Sequence, residues 1–161
     1  MLEEDFKKLL ATMKPGEMPT LETQLCFALY SASRATIDIY RPWLDRLGIT
    51  YSQYLVLLLL WERGTCSVKE LGDLLHLDSG TLSPLLKRLE AAGFIRRQRR
   101  SADERIVDIS LTDAGQTLKS QAASIPERFS CEIDLSIEEY ITLMTSLKTL
   151  TERLYAKQAV K

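Results

Sequence analysis

The sequence predicts a mainly α-helical fold that contains one small β-hairpin. Apolar residues recur at helical spacing over residues 21–40 and again over residues 140–154. Residues 67–70 and 136–139 each place a Glu three positions after a Ser, which is the spacing of a capping box that opens a helix. Residues 94–111 instead contain two short runs typical of strands. These patterns indicate a helical domain with a single strand pair.

The N-terminal part is expected to hold a peripheral segment, residues 1–20, followed by a long helix. This helix is predicted over residues 21–40, which contain no Gly or Pro. Pro42 should interrupt or cap it, because proline removes a helical hydrogen bond and its ring clashes with the preceding turn. A short segment is expected to follow Pro42 and to end near Gly48. The apolar residues that could line a short helix within the peripheral segment are Phe6, Leu9, Leu10 and Met13.

Three helices are predicted in the middle of the chain. The first, over residues 51–63, is apolar almost all round and therefore belongs in the core, with Thr50 or Ser52 as its cap. The capping box at Ser67 opens the second helix, which ends at residue 75. After a tight turn, a third helix runs to Gly93, because glycine is the usual residue just beyond a helix C-terminus.

The remaining elements are two strands and two helices. The strands are predicted over residues 94–99 and 105–111, with the hairpin tip between them. Thr112 caps a helix that should end near Ile125, before Pro126. The last helix should run to about residue 156 with an apolar heptad seam, which requires a partner helix. The seam residues are Tyr140, Leu143, Leu147, Leu150 and Leu154.

Charge and composition exclude several classes of protein. No apolar run is long enough to span a membrane and the charged N-terminus does not resemble a signal peptide, so we expect a cytoplasmic protein without membrane partners. Three cysteines without C-x-x-C spacing and one histidine argue against a structural disulfide framework, a metal site or another cofactor. The net charge is −1, but residues 87–105 carry seven basic and three acidic residues. Such a cationic stripe on an acidic body can face phosphates.

A helix-turn-helix skeleton is predicted around the turn that follows residue 75. Gly72 is small, as close approach of the second helix requires, and His76 occupies a turn position where glycine is common. Pro84 is acceptable in the second helix if it lies in the first turn. The apolar skeleton consists of Leu71, Leu75, Leu77, Leu82 and Leu85. The residues expected to face bases and phosphates in the major groove are Ser79, Thr81, Ser83 and Lys87.

The basic hairpin that follows has the properties of a wing. An arginine at its tip can enter the minor groove, and Asp103 is expected to brace the Arg105 guanidinium by a bidentate pair. The candidate DNA-binding residues of the hairpin are Arg96, Arg99, Arg100, Asp103 and Arg105. A helical hairpin with a solvated basic ribbon would explain any one of these features, but their order along the chain favours DNA binding.

These motifs resemble a known family. Residues 71–95, LGDLLHLDSGTLSPLLKRLEAAGFI, resemble the winged-helix core of MarR regulators, and residues 103–105 match the wing motif of that family. The resemblance covers about residues 21–155. It implies a homodimer with a DNA-binding lobe over residues 51–111, and dimerisation helices over residues 21–47 and 112–157 of a domain that spans residues 21–161. It also implies a DNA-binding repressor rather than an enzyme.

Cys26 is the candidate sensing residue. Tyr30 lies one helical turn away, whereas Tyr40 lies 14 residues away, or about 21 Å along a straight helix, so Tyr40 can meet Cys26 only from a partner chain or across a break. From composition alone, Cys26 would be a small buried hydrophobe. The chain also resembles the branch of regulators of organic hydroperoxide resistance. That resemblance implies a peroxide-reactive Cys26, oriented by Tyr40 and Tyr51 of the partner and by Tyr30.

The same resemblance implies a second reactive cysteine. In one subgroup of the branch, a cysteine from the other subunit forms a disulfide with the oxidised one, and Cys131 matches its position, whereas Cys66 matches no sensor position. Oxidation by organic hydroperoxides would then release operator DNA. Two alternatives remain open from the sequence: a MarR regulator gated by a noncovalent phenolic ligand, and a thiol peroxidase enzyme.

Overall fold

The computed structural model describes Glu4, Lys7 and residues 20–158. After a 3-10 turn at Leu21–Thr23, the elements follow in chain order: α1 (Leu25–Arg46), α2 (Tyr51–Arg63), β1 (Cys66–Ser67), α3 (Val68–Leu75), α4 (Ser79–Ala91), β2 (Ile95–Arg100), β3 (Asp103–Leu111), α5 (Asp113–Ala122), α6 (Ile125–Ile133) and α7 (Ile137–Gln158). The predicted mainly α-helical class with a β-hairpin is confirmed. The predicted short helix with Phe6, Leu9, Leu10 and Met13 lies outside the described residues.

Helix α1 is continuous through Pro42, so the predicted interruption at this residue is wrong. Proline fixes a φ angle that a helix accepts, and its cost here is one backbone hydrogen bond and a crowded preceding turn. Burial on the C-terminal side offsets this cost, because Leu44 is 1% exposed and Ile49 is 3% exposed. The helix therefore ends only at Arg46, and Gly48 follows it with a positive φ of 67°.

Helix α2 forms the centre of the core, as its apolar sequence predicts. Thr50 is the cap: its hydroxyl accepts a hydrogen bond from the Gln53 N–H, and the Gln53 side chain accepts one from the Thr50 N–H at 2.7 Å. Gly64, with a φ of 80°, ends the helix. The apolar residues of α2 that are at most 3% exposed are Tyr54, Val56, Leu57 and Leu60.

The β-hairpin belongs to a three-stranded antiparallel sheet with the order β1-β3-β2. Strand β1 was not predicted, because two residues are too few to show alternation; its Cys66 pairs with Ile109 of β3. The strands also continue closer to the hairpin tip than predicted, since Arg100 pairs with Asp103. A register shift between Arg99 and Arg100 marks a bulge there.

One compact unit of the chain ends at Ala122 and a second begins at Ala123. This boundary corrects the predicted single helix from Thr112 to Ile125: α5 ends first, and Pro126 lies in the first turn of a new helix, α6, where its missing N–H costs nothing. Ser136 and Glu139 form the predicted capping box of α7. No residue of α7 is buried in the described chain, and Tyr140, Leu143 and Leu154 of its apolar seam are exposed. None of the helices within the described residues combines the length and hydropathy that a bilayer-spanning segment needs.

Candidate nucleic-acid interface and thiol site

The helix-turn-helix is built from two capped helices and a left-handed turn. Ser67 and Glu70 form the capping box of α3: the Glu70 N–H donates to the Ser67 hydroxyl, and the Ser67 N–H donates to the Glu70 carboxylate. Hydrogen bonds from Ser67 to this carboxylate lower the pKa of Glu70. His76 has a φ of 53°, which explains why glycine is the common residue at this position. A Cβ atom on Gly72 would lie 3.0 Å from the Leu77 carbonyl oxygen, so the turn requires the small residue that the sequence provides.

Asp78 caps the second helix, α4, through Thr81. Its carboxylate accepts hydrogen bonds from the Thr81 N–H and hydroxyl, both at 2.9 Å, and these bonds lower the Asp78 pKa. Thr81, Ser79 and Lys87 are exposed, but the Thr81 hydroxyl already serves this cap. Ser83 was predicted to point outward, but its side chain is half-buried.

Pro84 lies in the second turn of α4, so the first-turn position in which the sequence analysis considered a proline acceptable is not the one it occupies. Its ring faces the carbonyl of the residue four positions earlier, which is Gly80. The helix is held on both sides of the proline, because Leu82 is 1% exposed and Leu86 is fully buried. Burial of the apolar face therefore outweighs the one hydrogen bond that proline removes.

The side chains predicted to contact DNA from the hairpin are all exposed: Arg96, Arg99, Arg100, Asp103 and Arg105. The predicted bidentate pair between the Asp103 carboxylate and the Arg105 guanidinium is wrong. Asp103 accepts a hydrogen bond from the backbone N–H of Arg105 at 3.0 Å, because a short side chain readily reaches the amide two residues on. The guanidinium that is held bidentately belongs to Arg100, whose partner is Asp108 at 2.7 and 3.0 Å.

Asp108 was missed by the sequence analysis, although it orients a wing arginine. Its hydrogen bonds raise the pKa of Arg100, and Arg100 in turn lowers the pKa of the Asp108 carboxyl. Arg100 also lines a cavity of about 470 Å³ between the start of α3 and the wing, together with Arg97, Arg105 and Lys69. The wing thus concentrates positive charge on one side of the helix-turn-helix, as a phosphate-binding surface requires.

Cys26 lies in the first turn of α1 and is exposed in the single chain, unlike the small buried hydrophobe that composition alone suggested. Tyr30 follows one turn later and is 56% exposed. Its hydroxyl accepts a hydrogen bond from Arg34 at 3.0 Å, and the Arg34 guanidinium lies 5.7 Å from the centre of the Tyr30 ring. Arg34 therefore holds Tyr30 on the helical face that also carries Cys26.

The other two cysteines differ in their surroundings. Cys66 is 4% exposed on β1, and burial raises the pKa of its thiol, so it is a poor nucleophile. Cys131 lies in α6 and is exposed.

Among the described residues, no group of three or more His, Cys, Asp or Glu side chains is arranged to hold a metal ion.

Tyr40 and Tyr51 come together at the opposite end of α1 from Cys26. Their ring centroids are 5.1 Å apart, and Tyr54 and Trp43 lie 6.1 and 5.8 Å from Tyr40. Burial raises the pKa of Tyr51, and burial together with the neighbouring Tyr51 raises that of Tyr54. Because α1 is one continuous helix, Tyr40 lies about 21 Å along the axis from the Cys26 of its own chain.

Known proteins share the sequence pattern and the fold of this chain. The model of the MarR family matches residues 49–107. The chain is 51% identical over 137 residues to the organic hydroperoxide resistance transcriptional regulator of Bacillus subtilis, covering 85% of this chain and 93% of the relative. Among solved structures, reduced AbfR bound to DNA has 38% identity and a TM-score of 0.73, covering 88% of this chain and 95% of that chain. AbfR in its disulfide form has 36% identity and a TM-score of 0.60, covering 92% and 98%.

Proposed function

Because the chain belongs to the MarR family of DNA-binding transcriptional regulators, we propose that it is a dimeric repressor that senses organic hydroperoxides through Cys26. Like the transcriptional regulators it resembles, it is a regulator and not an enzyme. In the reduced state, the dimer binds operator DNA. Oxidation of Cys26, followed by an intersubunit disulfide with Cys131, releases the operator.

The observation that carries this proposal is the separation of the cysteine from the tyrosines. Cys26 is exposed at the N-terminal end of α1, and the pair of Tyr40 and Tyr51 lies at the other end. One chain cannot join these groups across a continuous helix. A second copy in the opposite direction brings the tyrosine pair of one chain to the cysteine of the other. The exposed residues of the α7 seam supply an apolar surface for the same association.

The chemistry of the site follows from hydrogen bonding to sulfur. A thiolate, and not a thiol, is the nucleophile, and phenol O–H groups that donate to sulfur stabilise the thiolate. We expect Tyr40 and Tyr51 of the partner, with Tyr30 of the same chain, to be these donors. The thiolate attacks one peroxide oxygen, the O–O bond breaks, and the other oxygen leaves with the organic group as an alcohol after protonation. Cys26 is left as a sulfenic acid.

Cys131 is proposed to resolve the sulfenic acid. Its thiol attacks the Cys26 sulfur, an S–S bond forms, and the oxygen of the sulfenic acid leaves as water. The exposure of Cys131 makes it accessible for this step, whereas Cys66 is buried. A disulfide requires Cα atoms within about 7 Å, so any motion needed to reach that distance changes the dimer. A disulfide form has been solved for the similar AbfR, which supports a disulfide as the oxidised state.

DNA binding is assigned to α4 and the wing. Ser79, Thr81, Ser83 and Lys87 lie on the helix that the motif places in the major groove. Each half of a pseudo-palindromic operator would receive one lobe, with half-sites about 34–36 Å apart. The wing arginines would reach the neighbouring minor groove and phosphates. These residues are Arg96, Arg99, Arg100 and Arg105, with Asp103 ordering the hairpin tip.

Replacing Arg105 by alanine is expected to weaken operator binding about tenfold and to lower the slope of log affinity against log salt concentration by about one. The cause is the loss of one cation from the wing, where Arg105 is exposed. Fluorescence anisotropy over a salt series measures both quantities. Arg46→Ala, which removes an exposed cation at the end of α1, is the matched control and should change neither. Equal effects from both variants would contradict a specific role of the wing.

The proposed function is tested by operator binding before and after one equivalent of cumene hydroperoxide. We expect the reduced protein to bind and the oxidised protein to release the operator, with peptide mass mapping of the released fraction giving a Cys26–Cys131 disulfide between chains. Unchanged affinity, or release without any oxidation of Cys26, would reject peroxide sensing. The second result would instead favour a MarR regulator gated by a noncovalent ligand.

A further inference from the structure

A row of aromatic rings extends from the tyrosine pair along α2. Tyr51, Tyr54 and Trp61 lie at positions i, i+3 and i+10, which share one face of this helix. Tyr40 of α1 contacts both Tyr51 and Tyr54. Tyr54 then contacts Trp61, with ring centroids 6.1 Å apart and the planes at 65°. Each ring therefore touches the next in an edge-on or tilted arrangement that aromatic pairs prefer.

The row ends at a hydrogen bond to a different element. The indole N–H of Trp61 donates to the Gly115 carbonyl oxygen at 2.9 Å, a contact across 54 residues of sequence. Gly115 lies in the first turn of α5, directly after β3. The Lys119 ammonium donates to the Trp61 carbonyl at 3.3 Å, so α5 holds Trp61 through its backbone as well as its ring.

Gly115 is in turn packed against the base of the wing. A Cβ atom built on Gly115 would lie 2.0 Å from the carbonyl oxygen of Phe94, the residue before β2. The same Phe94 oxygen accepts a hydrogen bond from the Thr112 N–H at 3.1 Å, and the Thr112 hydroxyl donates to the Gly93 carbonyl at 2.6 Å. The start of α5 and the start of the wing are therefore joined by a direct backbone contact and a backbone hydrogen bond, reinforced by the short side chain of Thr112, and no long flexible side chain lies between Gly115 and Phe94 to absorb a displacement.

We infer that Tyr54 and Trp61 are positioning residues that couple the Tyr40 and Tyr51 pair to the base of the wing. This inference rests on the proposed function, in which formation of the Cys26–Cys131 disulfide removes the Cys26 thiolate that accepts hydrogen bonds from the tyrosine hydroxyls. Tyr54 is 3% exposed and cannot move independently of the rings on either side, because close-packed interiors transmit strain. A shift of the tyrosine pair reaches Gly115 through Trp61 and alters the orientation of the hairpin that holds Arg100 and Arg105.

The test compares the ratio of operator Kd after and before one equivalent of cumene hydroperoxide in two matched variants. Trp61→Phe removes the indole N–H and keeps a ring against Tyr54; we expect its ratio to be at least tenfold smaller than that of the wild type. Trp43→Phe is the control, because Trp43 also contacts the Tyr40 ring but lies on α1, outside the row that runs from Tyr51 to Trp61 along α2, and its ratio should stay within twofold of the wild type. Mass spectrometry of the same samples should give equal Cys26 oxidation in all three proteins.

A second measurement needs no substitution. Hydrogen exchange of the wild-type dimer, reduced and oxidised, should differ at the backbone amides of Gly115 and Thr112, since these groups join α5 to the wing base. A wild-type Kd ratio in Trp61→Phe, or unchanged exchange at Gly115 and Thr112 in protein that does release the operator, would overturn the coupling and leave the proposed function intact. A wild-type protein that keeps the operator after peroxide treatment would overturn both.

Discussion

Replacing Cys26 by serine is expected to abolish release of the operator by organic hydroperoxides and to leave the operator affinity of the untreated protein within about threefold of the wild type. A serine hydroxyl is essentially not ionised at neutral pH and does not attack a peroxide as a thiolate does. The residue lies in α1, outside the helix-turn-helix and the wing, so DNA binding loses no proposed contact. In a titration of the operator complex with cumene hydroperoxide, half-release from the variant should require at least about 100-fold more peroxide than half-release from the wild type. At about 1.36 kcal/mol for each factor of ten, this difference corresponds to about 2.7 kcal/mol.

Two companion variants separate the steps that follow oxidation. Cys131→Ser keeps the first oxidation but cannot form the disulfide, so we expect it to retain the operator and to accumulate sulfenic and then sulfinic acid at Cys26. Cys66→Ser should release the operator like the wild type, because Cys66 is buried on β1. Release by Cys131→Ser at wild-type peroxide concentrations would contradict the role of the disulfide, and full release by Cys26→Ser would contradict the role of the sensing cysteine.

Replacing Gly115 by alanine is expected to lower the free energy of unfolding by about 3 kcal/mol and the Tm by about 6–12 °C. The new methyl group would lie 2.0 Å from the backbone oxygen of Phe94 and 3.1 Å from a Leu111 methyl group. Backbone atoms cannot rotate away as the end of a flexible side chain can, so α5 must separate from the wing base. Thermal unfolding followed by circular dichroism at equal protein concentrations measures the effect.

Gly93→Ala is the matched control for this prediction. Gly93 has a φ of 77°, but a Cβ atom there has no atom within 4 Å. Its cost is therefore only the strain of the left-handed backbone, about 1–2 kcal/mol. The two glycines bound the same junction, on either side of the wing. If Gly115→Ala destabilised the protein no more than Gly93→Ala, the close backbone contact between α5 and Phe94 would be contradicted.

The parts of the fold that short-range chemistry determines were predicted correctly. The capping boxes at Ser67 and Ser136 place a serine three residues before its glutamate, so the sequence alone reveals them, whereas the choice between Thr50 and Ser52 as the cap of α2 needed the structure, which has Thr50. At two prolines, by contrast, the structure departs from what local chemistry predicts. Pro42 and Pro84 break a local rule, but each lies beside leucines whose burial depends on elements distant in sequence, and this long-range burial outweighs one lost hydrogen bond.

The residues of the candidate site also differ in whether local spacing predicts them. Cys26 and Tyr30 are one turn apart and are visible as a pair in the sequence, whereas the roles of Tyr40, Tyr51 and Cys131 followed only from family resemblance. Contacts across the hairpin or between separate elements were missed because no spacing rule predicts them: the Arg100–Asp108 pair, the contact of the Tyr54 ring with Tyr40, and the Trp61 hydrogen bond to Gly115. Each of these contacts orients a proposed functional residue or the wing that carries it.

The separation of Cys26 from Tyr40 and Tyr51 within one chain makes the assembly of two chains the decisive property. The most direct measurement is a crystal structure of the reduced protein, in which the distance from the Cys26 sulfur to the Tyr40 and Tyr51 hydroxyls of a neighbouring chain is read. We predict a two-fold dimer with both distances below about 4 Å, as expected of hydrogen bonds to sulfur. A monomer in solution, or a dimer in which this sulfur lies more than about 8 Å from both hydroxyls, would contradict the account, because such a gap exceeds the reach of any hydrogen bond.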